Sequence, residues 1–64
     1  MRLDCMLSPR ILRIAVSNPM LAAHEEAARL AYYGIPWDML AQSNGDYLVW
    51  RTDENFSACV FVRE

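Results

Sequence analysis

One histidine and two cysteines are the candidates for catalysis in this chain, because a cysteine beside a histidine can act as a nucleophile with its base. His24 opens a His-Glu-Glu run, but Ala28 stands where a zinc-protease helix carries its second histidine. Neither Cys5 nor Cys59 lies in a sequence pattern that marks a reactive thiolate. The sequence therefore predicts no catalytic residue, and we expect the protein not to be an enzyme.

Metal, cofactor and phosphate sites are equally weakly indicated. The cysteines do not form a C-x-x-C pair, and a single histidine cannot complete a zinc site with them. The acidic residues between Asp46 and Glu54 lack the regular oxygen-ligand spacing of a calcium loop. The two glycines are isolated and cannot form a phosphate-binding loop. We expect neither a metal nor a cofactor, and free thiols are favoured over a Cys5–Cys59 disulfide.

The distinctive feature of the sequence is its content of two Trp, three Tyr and two Phe within 64 residues. Exposed Trp and Tyr beside Arg are typical of the side chains that carry most of the binding energy at protein interfaces. One short helix is expected to leave some rings uncovered, and the alternative is that they complete a small core around the helix end. The predicted partner-binding residues are Tyr33, Trp37, Tyr47, Trp50 and Arg51.

Short elements must position these side chains, and the first of them is a strand. Residues 11–16 form an almost uninterrupted apolar run that ends at Ser17-Asn18-Pro19. Such a run is typical of a strand buried on both faces, so we expect it to be mostly buried and central in a sheet. Residues 1–9 are predicted to be an N-terminal arm or an additional strand.

The second element is a helix over residues 19–33. Asn18 is a favoured N-cap residue and Pro19 fits the first helical position, because its missing N–H has no partner there. Gly34 and Pro36 predict the helix end. Helical spacing places a mainly alanine face toward the rest of the fold, and it comprises Met20, Ala23, Ala27, Leu30 and Ala31.

Three further strands are predicted after the helix. Residues 37–42 suit either a strand or a short helical turn, and a strand is favoured. They and the strand over residues 47–52 flank an Asn44-Gly45 dipeptide, which predicts a type I′ hairpin turn with two positive φ angles. A second polar turn leads into a strand over residues 56–63. In that strand we expect one alternate set to face the helix and Phe61 to lie on the opposite face. The set expected to face the helix is Phe56, Ala58, Val60 and Val62.

The predicted fold class is α+β, with one helix packed on a small, mainly antiparallel sheet in the order strand, helix, three-stranded meander. Residues 1–64 are expected to form a single domain. A two-layer domain of this kind covers only one face of its sheet with a helix. The other face must then meet solvent, the N-terminal arm or a partner.

Charge and hydropathy limit the classes of partner. Six basic residues, all Arg, stand against eight acidic residues, for a net charge of −2. Because affinity for nucleic acid depends heavily on phosphate neutralisation, this balance disfavours a nucleic-acid-binding protein. The apolar stretches are far shorter than the ~20 residues that cross a bilayer, and no segment is typical of a signal peptide. We therefore expect a cytoplasmic protein that does not bind membranes.

Together these features predict a non-enzymatic interaction module that binds and modulates, or inhibits, a larger host or cognate protein. Small size without a cofactor motif is typical of inhibitors and accessory factors, including those that phages and mobile elements encode. A chain this short has marginal stability, and homodimerisation through the uncovered sheet face or an edge strand would add to it. The alternative is a small nucleic-acid-associated regulator that uses the Arg-bearing N-terminal strand.

Overall fold

A computed structural model of the chain describes residues 10–53 and 57–64. The predicted element order is confirmed, while the N-terminal arm over residues 1–9 and the start of the last strand at Phe56 lie outside the described residues. The elements are strand β1 (Arg10–Val16), helix α1 (Pro19–Tyr32) and strands β2 (Trp37–Ala41), β3 (Tyr47–Arg51) and β4 (Ser57–Arg63). They form the small α+β domain that the sequence indicates, with the helix on a four-stranded sheet.

The sheet has the order β1-β4-β3-β2. Strands β2, β3 and β4 form the predicted antiparallel meander, and β1 pairs in parallel with β4. The helix follows β1 at one edge of the sheet and leads to β2 at the other edge, so it must cross the sheet. This path leaves the helix packed on one face of the sheet, against all four strands.

Strand β1 is an edge strand, so the prediction that it is central and mostly buried was wrong. The meander places β4 and β3 in the interior of the sheet and β2 at one edge, and β1 pairs beside β4 at the other edge. Ile11 remains 64% exposed and Leu12 is also exposed. The apolar run of β1 thus reflects two partly open faces rather than two covered ones.

Both ends of α1 follow from local sequence. At the N-terminus, Asn18 Oδ1 accepts a hydrogen bond of 3.2 Å from the Leu21 backbone N–H, and Pro19 occupies the first turn. This side chain satisfies one of the N–H groups that have no partner within the helix. The predicted N-cap is confirmed.

The C-terminus of α1 is a Schellman motif. Gly34 has a φ of 72°, and its N–H donates to the Ala31 carbonyl at 3.0 Å. The Ile35 N–H donates to the Leu30 carbonyl at 2.9 Å, and Ile35 packs against the core that contains Leu30. Glycine adopts this left-handed conformation without strain, so the predicted helix end is confirmed.

The β2–β3 turn differs from the predicted type I′ turn. Gly45 has a φ of 96°, but no non-glycine residue among those described has a positive φ, so Asn44 lacks the second positive angle. The Gly45 N–H donates to the Gln42 carbonyl at 3.0 Å, and Asn44 Oδ1 accepts from the Asp46 N–H at 3.0 Å. One extra residue in the loop allows a turn that needs only a single glycine-like position.

The core lies between α1 and the middle of the sheet. Ala23, Ala27 and Leu30 of the helix are buried against Val49 and Phe61 of β3 and β4. The alanines allow the helix to approach closely, and the larger sheet residues contribute most of the buried side-chain volume. The helix therefore depends on the sheet for its stabilising area, as its alanine-rich face predicts.

Two residues predicted on the inner helix face, Met20 and Ala31, are exposed. At roughly 100° per residue, both lie about 60–80° from Ala23 around the helix axis. The buried stripe is rotated away from them and toward Pro19, which is buried, and Glu26, which is half-buried.

The alternation of β4 is opposite to the prediction. Phe61 and Cys59 face the helix and pack in or against the core. Ala58 is buried but does not belong to the core cluster, and the register places Val60 and Val62 on the same face as Ala58. Both alternate sets of β4 are apolar, and the helix covers the one with the large ring.

The two faces of the sheet therefore differ in what packs on them. The covered face packs against α1, and no described helix or strand packs on the other, which we call the bare face. By alternation and register the bare face comprises Ile11, Arg13, Ala15, Asp38, Leu40, Leu48, Trp50, Ala58, Val60 and Val62.

Candidate functional site

The five predicted partner-binding residues do not form one surface. Trp50 lies on the bare face, where it pairs across the strands with Ala58 and Asp38. The other four, Tyr33, Trp37, Tyr47 and Arg51, lie at the helix end or on the covered side of the sheet. A single partner contacting all five would have to reach around the edge of the sheet.

An aromatic group surrounds the helix C-terminus. Tyr33 caps the helix, is 65% exposed and meets Tyr32 edge to face with ring centroids 5.1 Å apart. Trp37, at the start of β2, is also exposed and lies opposite Arg51 of β3. This end of the molecule thus brings together three of the predicted residues.

Arg51 is already engaged within the chain. Its Nε donates to Asp53 Oδ1 at 3.1 Å and its Nη2 donates to Asp53 Oδ2 at 2.6 Å. These hydrogen bonds raise the pKa of the Arg51 guanidinium, and desolvation opposes them with a smaller effect. Because Asp53 balances its charge, Arg51 is less available to an acidic partner.

Tyr47 packs against the core. Its ring is half-buried, packs against the core cluster and lies opposite Phe61 in the β3–β4 register. For Tyr47 the structure matches the alternative that some aromatics complete the core.

The bare face is the more coherent candidate surface. The register aligns two rows of side chains across all four strands. One row is Ile11, Ala58, Trp50 and Asp38, and the next is Arg13, Val60, Leu48 and Leu40. Each row ends in a charged side chain, with Arg13 at the β1 edge and Asp38 at the β2 edge. The face is thus an apolar surface with opposite charges at its two edges.

The sequence did not single out Ile11, Leu40 or the two charged edge residues, Arg13 and Asp38. Their signal is the alternation within each strand, but alternation alone cannot say which alternate set a helix covers. In β2 and β4 both sets contain apolar residues. Only the position of α1 distinguishes the faces.

A small cleft lies at the other side of the sheet, between α1 and strands β3 and β4. Its volume is about 190 Å³ and its lining includes Glu26, Arg29, Arg51, Ser57 and Cys59. Arg29 Nη2 donates to Glu26 Oε2 at 2.6 Å, so the guanidinium here is paired with a carboxylate, as that of Arg51 is. The cleft therefore has little unbalanced positive charge with which to hold an anion.

The Cys59 thiol in this cleft is poorly suited to nucleophilic attack. Burial raises its pKa above the ordinary value of 9.0, and the Glu26 carboxylate raises it further, with Arg29 opposing. The thiol is thus protonated near neutral pH, whereas a reactive cysteine is a thiolate. No histidine is among the described residues that line the cleft, and His24 is exposed elsewhere on the helix.

Metal and membrane sites are not evident in residues 10–53 and 57–64. No group of three or more His, Cys, Asp or Glu side chains there could hold a metal ion. The described helix has 14 residues, and it is neither long enough nor apolar enough to cross a membrane.

Comparisons with protein-family models, with curated protein sequences and with solved structures found no match for this chain.

Proposed function

We propose that this chain is a non-enzymatic interaction module that binds and modulates another protein, in the cytoplasm, through its bare face. The observation that carries the proposal is the pair of apolar rows on that face, on which no described helix or strand packs. Removing apolar surface from water lowers the free energy by about 25 cal/mol per Å². A contiguous apolar face on a small domain is therefore typical of a binding surface.

Trp50 is the proposed anchor of this surface. It lies half-buried in a central strand, and its neighbours on the bare face are Ala58, Leu48 and Asp38. Tryptophan buries a large area and loses little side-chain entropy on binding. Truncating a tryptophan at the centre of an interface to alanine weakens the binding free energy by on the order of 2 kcal/mol.

Charge favours a protein partner over nucleic acid. Arg29 and Arg51 are each paired with a carboxylate on the covered side, and Arg13 is the one basic residue among those that form the bare face. Binding to nucleic acid requires several unpaired cations along the phosphate backbone. The alternative regulator that uses the N-terminal strand would depend on Arg10 and Arg13 of β1 and on residues outside those described.

The proposal is tested with two variants of equal exposure on different surfaces. Leu40 on the bare face is 52% exposed, and Leu21 on the outer side of α1 is 53% exposed. A partner is first captured by a photo-crosslinking residue at position 40, then purified. Its affinity is measured for the wild type, Leu40→Arg, Trp50→Ala and Leu21→Arg, with circular dichroism to show that each variant is folded.

We expect Leu40→Arg and Trp50→Ala to weaken binding at least about tenfold, because each removes apolar contact in a buried interface. Leu21→Arg should bind as the wild type does. Equal affinity of all four proteins contradicts the proposed surface. Binding to labelled DNA or RNA that falls steeply with salt and is lost in Arg13→Ala would instead favour the nucleic-acid regulator.

A further inference from the structure

We infer that the occupant of the bare face is a second copy of this chain, stacked face to face with its β1 edge over the partner's β2 edge. The inference rests on the proposed function, because it keeps the bare face as the binding surface and names a second copy, rather than a different protein, as its occupant. It is carried by the positions of the two charged side chains and of Trp50 on the bare face.

The charges select the symmetry. Two kinds of two-fold axis can stack two copies face to face, one parallel to the strands and one across them. The axis across the strands lays β1 on the partner's β1 and β2 on the partner's β2, so edges of like charge meet. The axis parallel to the strands lays β1 over the partner's β2, so Arg13 approaches the Asp38 edge of the partner. Opposite charges then meet twice, once at each edge.

The distances permit this pairing between copies and prevent it within one. Inside a single sheet, Arg13 and Asp38 are separated by three strand spacings and one row, or roughly 16 Å. Between stacked sheets the gap is ~10 Å, and Arg13 and Asp38 lie on adjacent rows that differ by roughly 6.6 Å along the strands. An arginine side chain directed across the gap at the edge can cover such a diagonal. Among the described residues Arg13 has no ion-pair partner of its own chain.

Side-chain size selects the same axis. With the axis parallel to the strands, β4 lies over the partner's β3, and the Trp50 row coincides with the Ala58 row. Each large indole then lies over the smallest side chain of the facing strand. The axis across the strands would set β3 on the partner's β3 and bring the two indoles toward each other. Complementary packing of large against small residues is what a dry sheet–sheet interface requires.

The area of the face sets the expected affinity. Four strands at ~4.8 Å and five to seven residues at ~3.3 Å give a face of roughly 19 by 20 Å. The footprint is therefore roughly 380 Å² per copy, about half of the ~800 Å² per partner that standard specific interfaces bury. We therefore expect a weak dimer that dissociates in roughly the high-micromolar range and depends on protein concentration.

The test is charge reversal followed by sedimentation equilibrium, from about 10 μM to about 1 mM full-length protein. The variants are Arg13→Asp, Asp38→Arg and the double variant that carries both changes. We expect each single reversal to weaken dimerisation at least about tenfold, because the single variants bring like charges together at both edges. The double variant exchanges the two charges and should dimerise within about threefold of the wild type. Since the two positions are too far apart to pair within one sheet, this rescue requires two copies.

The outcomes separate this inference from the proposed function. A wild-type protein that stays monomeric at about 1 mM, while Leu40→Arg loses a captured partner, overturns the second copy and keeps the interaction module. A dimer that is indifferent to both charge reversals overturns the stacked arrangement, and edge-strand pairing would then explain it. A monomer whose urea midpoint falls more in Leu40→Arg than in Leu21→Arg also overturns the inference. That result would indicate that the face is covered within the same chain.

Discussion

The two faces of the sheet have nearly the same residue classes and different environments. On the covered face, Val49 and Phe61 are almost completely removed from water by α1. On the bare face, Ile11 and Leu40 of the edge strands remain more than half exposed, whereas Trp50 of central strand β3 is half-buried. Hydrophobicity alone therefore does not mark the core of this domain. The position of α1 and the place of each strand in the sheet decide it together.

The largest expected difference between the faces is in stability. Phe61 is 6% exposed, so Phe61→Ala leaves a cavity under the helix and should destabilise the fold by about 3–5 kcal/mol. The total stability of a domain this size is only roughly 3–10 kcal/mol, so the variant should be largely unfolded. Leu40→Ala on the bare face should cost less than about 1 kcal/mol in dilute monomeric protein. Urea unfolding followed by circular dichroism measures both values, and similar costs would contradict the assignment of the two faces.

Helix α1, which covers one face of the sheet, can be weakened at its C-terminal end. Gly34→Ala places a Cβ where φ is 72°, and no atom lies within 4 Å of that Cβ position. The expected cost of about 1–2 kcal/mol is therefore backbone strain rather than a clash. Gly34→Asn is the matched control, because Asn tolerates the left-handed region, and it should cost less than Ala. An equal loss of thermal stability in the two variants would speak against the Schellman motif.

A smaller effect on stability is expected at the N-terminal end of α1. Asn18→Ala removes the side-chain acceptor for the Leu21 N–H and should destabilise the protein by about 1 kcal/mol. Asn18→Asp keeps an acceptor and adds a negative charge at the helix N-terminus, so it should be neutral or stabilising. Thermal unfolding of the three proteins at equal concentration gives the comparison. An alanine variant as stable as the wild type would exclude a role for the cap.

The smallest expected effect is on stability at alkaline pH, through the thiol of Cys59. Burial raises the pKa of Cys59 above 9.0, so the folded protein retains a proton that the unfolded chain loses as the pH rises past 9. The stabilising contribution is complete below pH 9 and is lost as the pH rises through the folded-state pKa. In a Cys5→Ala background, stability should therefore fall more steeply above pH 9 than in the Cys5→Ala, Cys59→Ala double variant. Identical alkaline slopes in urea titrations would mean that the thiol is not buried in the fold.

Local sequence signals predicted the elements well. Asn18-Pro19 and Gly34 define the helix because capping is decided by hydrogen bonds within a few residues. The order of one strand, one helix and three strands follows from apolar runs separated by turn residues. The type of the β2–β3 turn was predicted incorrectly, because Asn44-Gly45 also suits a three-residue loop with one positive φ.

The candidate site was harder to predict. The aromatic residues were selected by type, and the structure divides them between the core, the helix end and the bare face. The charges that organise the bare face, Arg13 and Asp38, come from strands that are far apart in sequence and lie at opposite edges of the sheet. The register across four strands depends on pairing between residues that are far apart in sequence. The sequence of β1 or of β2 by itself therefore does not predict it.

The sequence by itself determined where each element begins and ends, because caps, turns and apolar periodicity act over a few residues. The tertiary structure alone decided which side of each strand is core and which is surface. In β4 both alternate sets contain apolar residues, so burial of either set was compatible with the pattern. The crossing of α1 over the sheet places Phe61 inside, and within residues 10–53 and 57–64 no helix packs on the Trp50 face. A single helix has one apolar stripe and can remove only one face of the sheet from water.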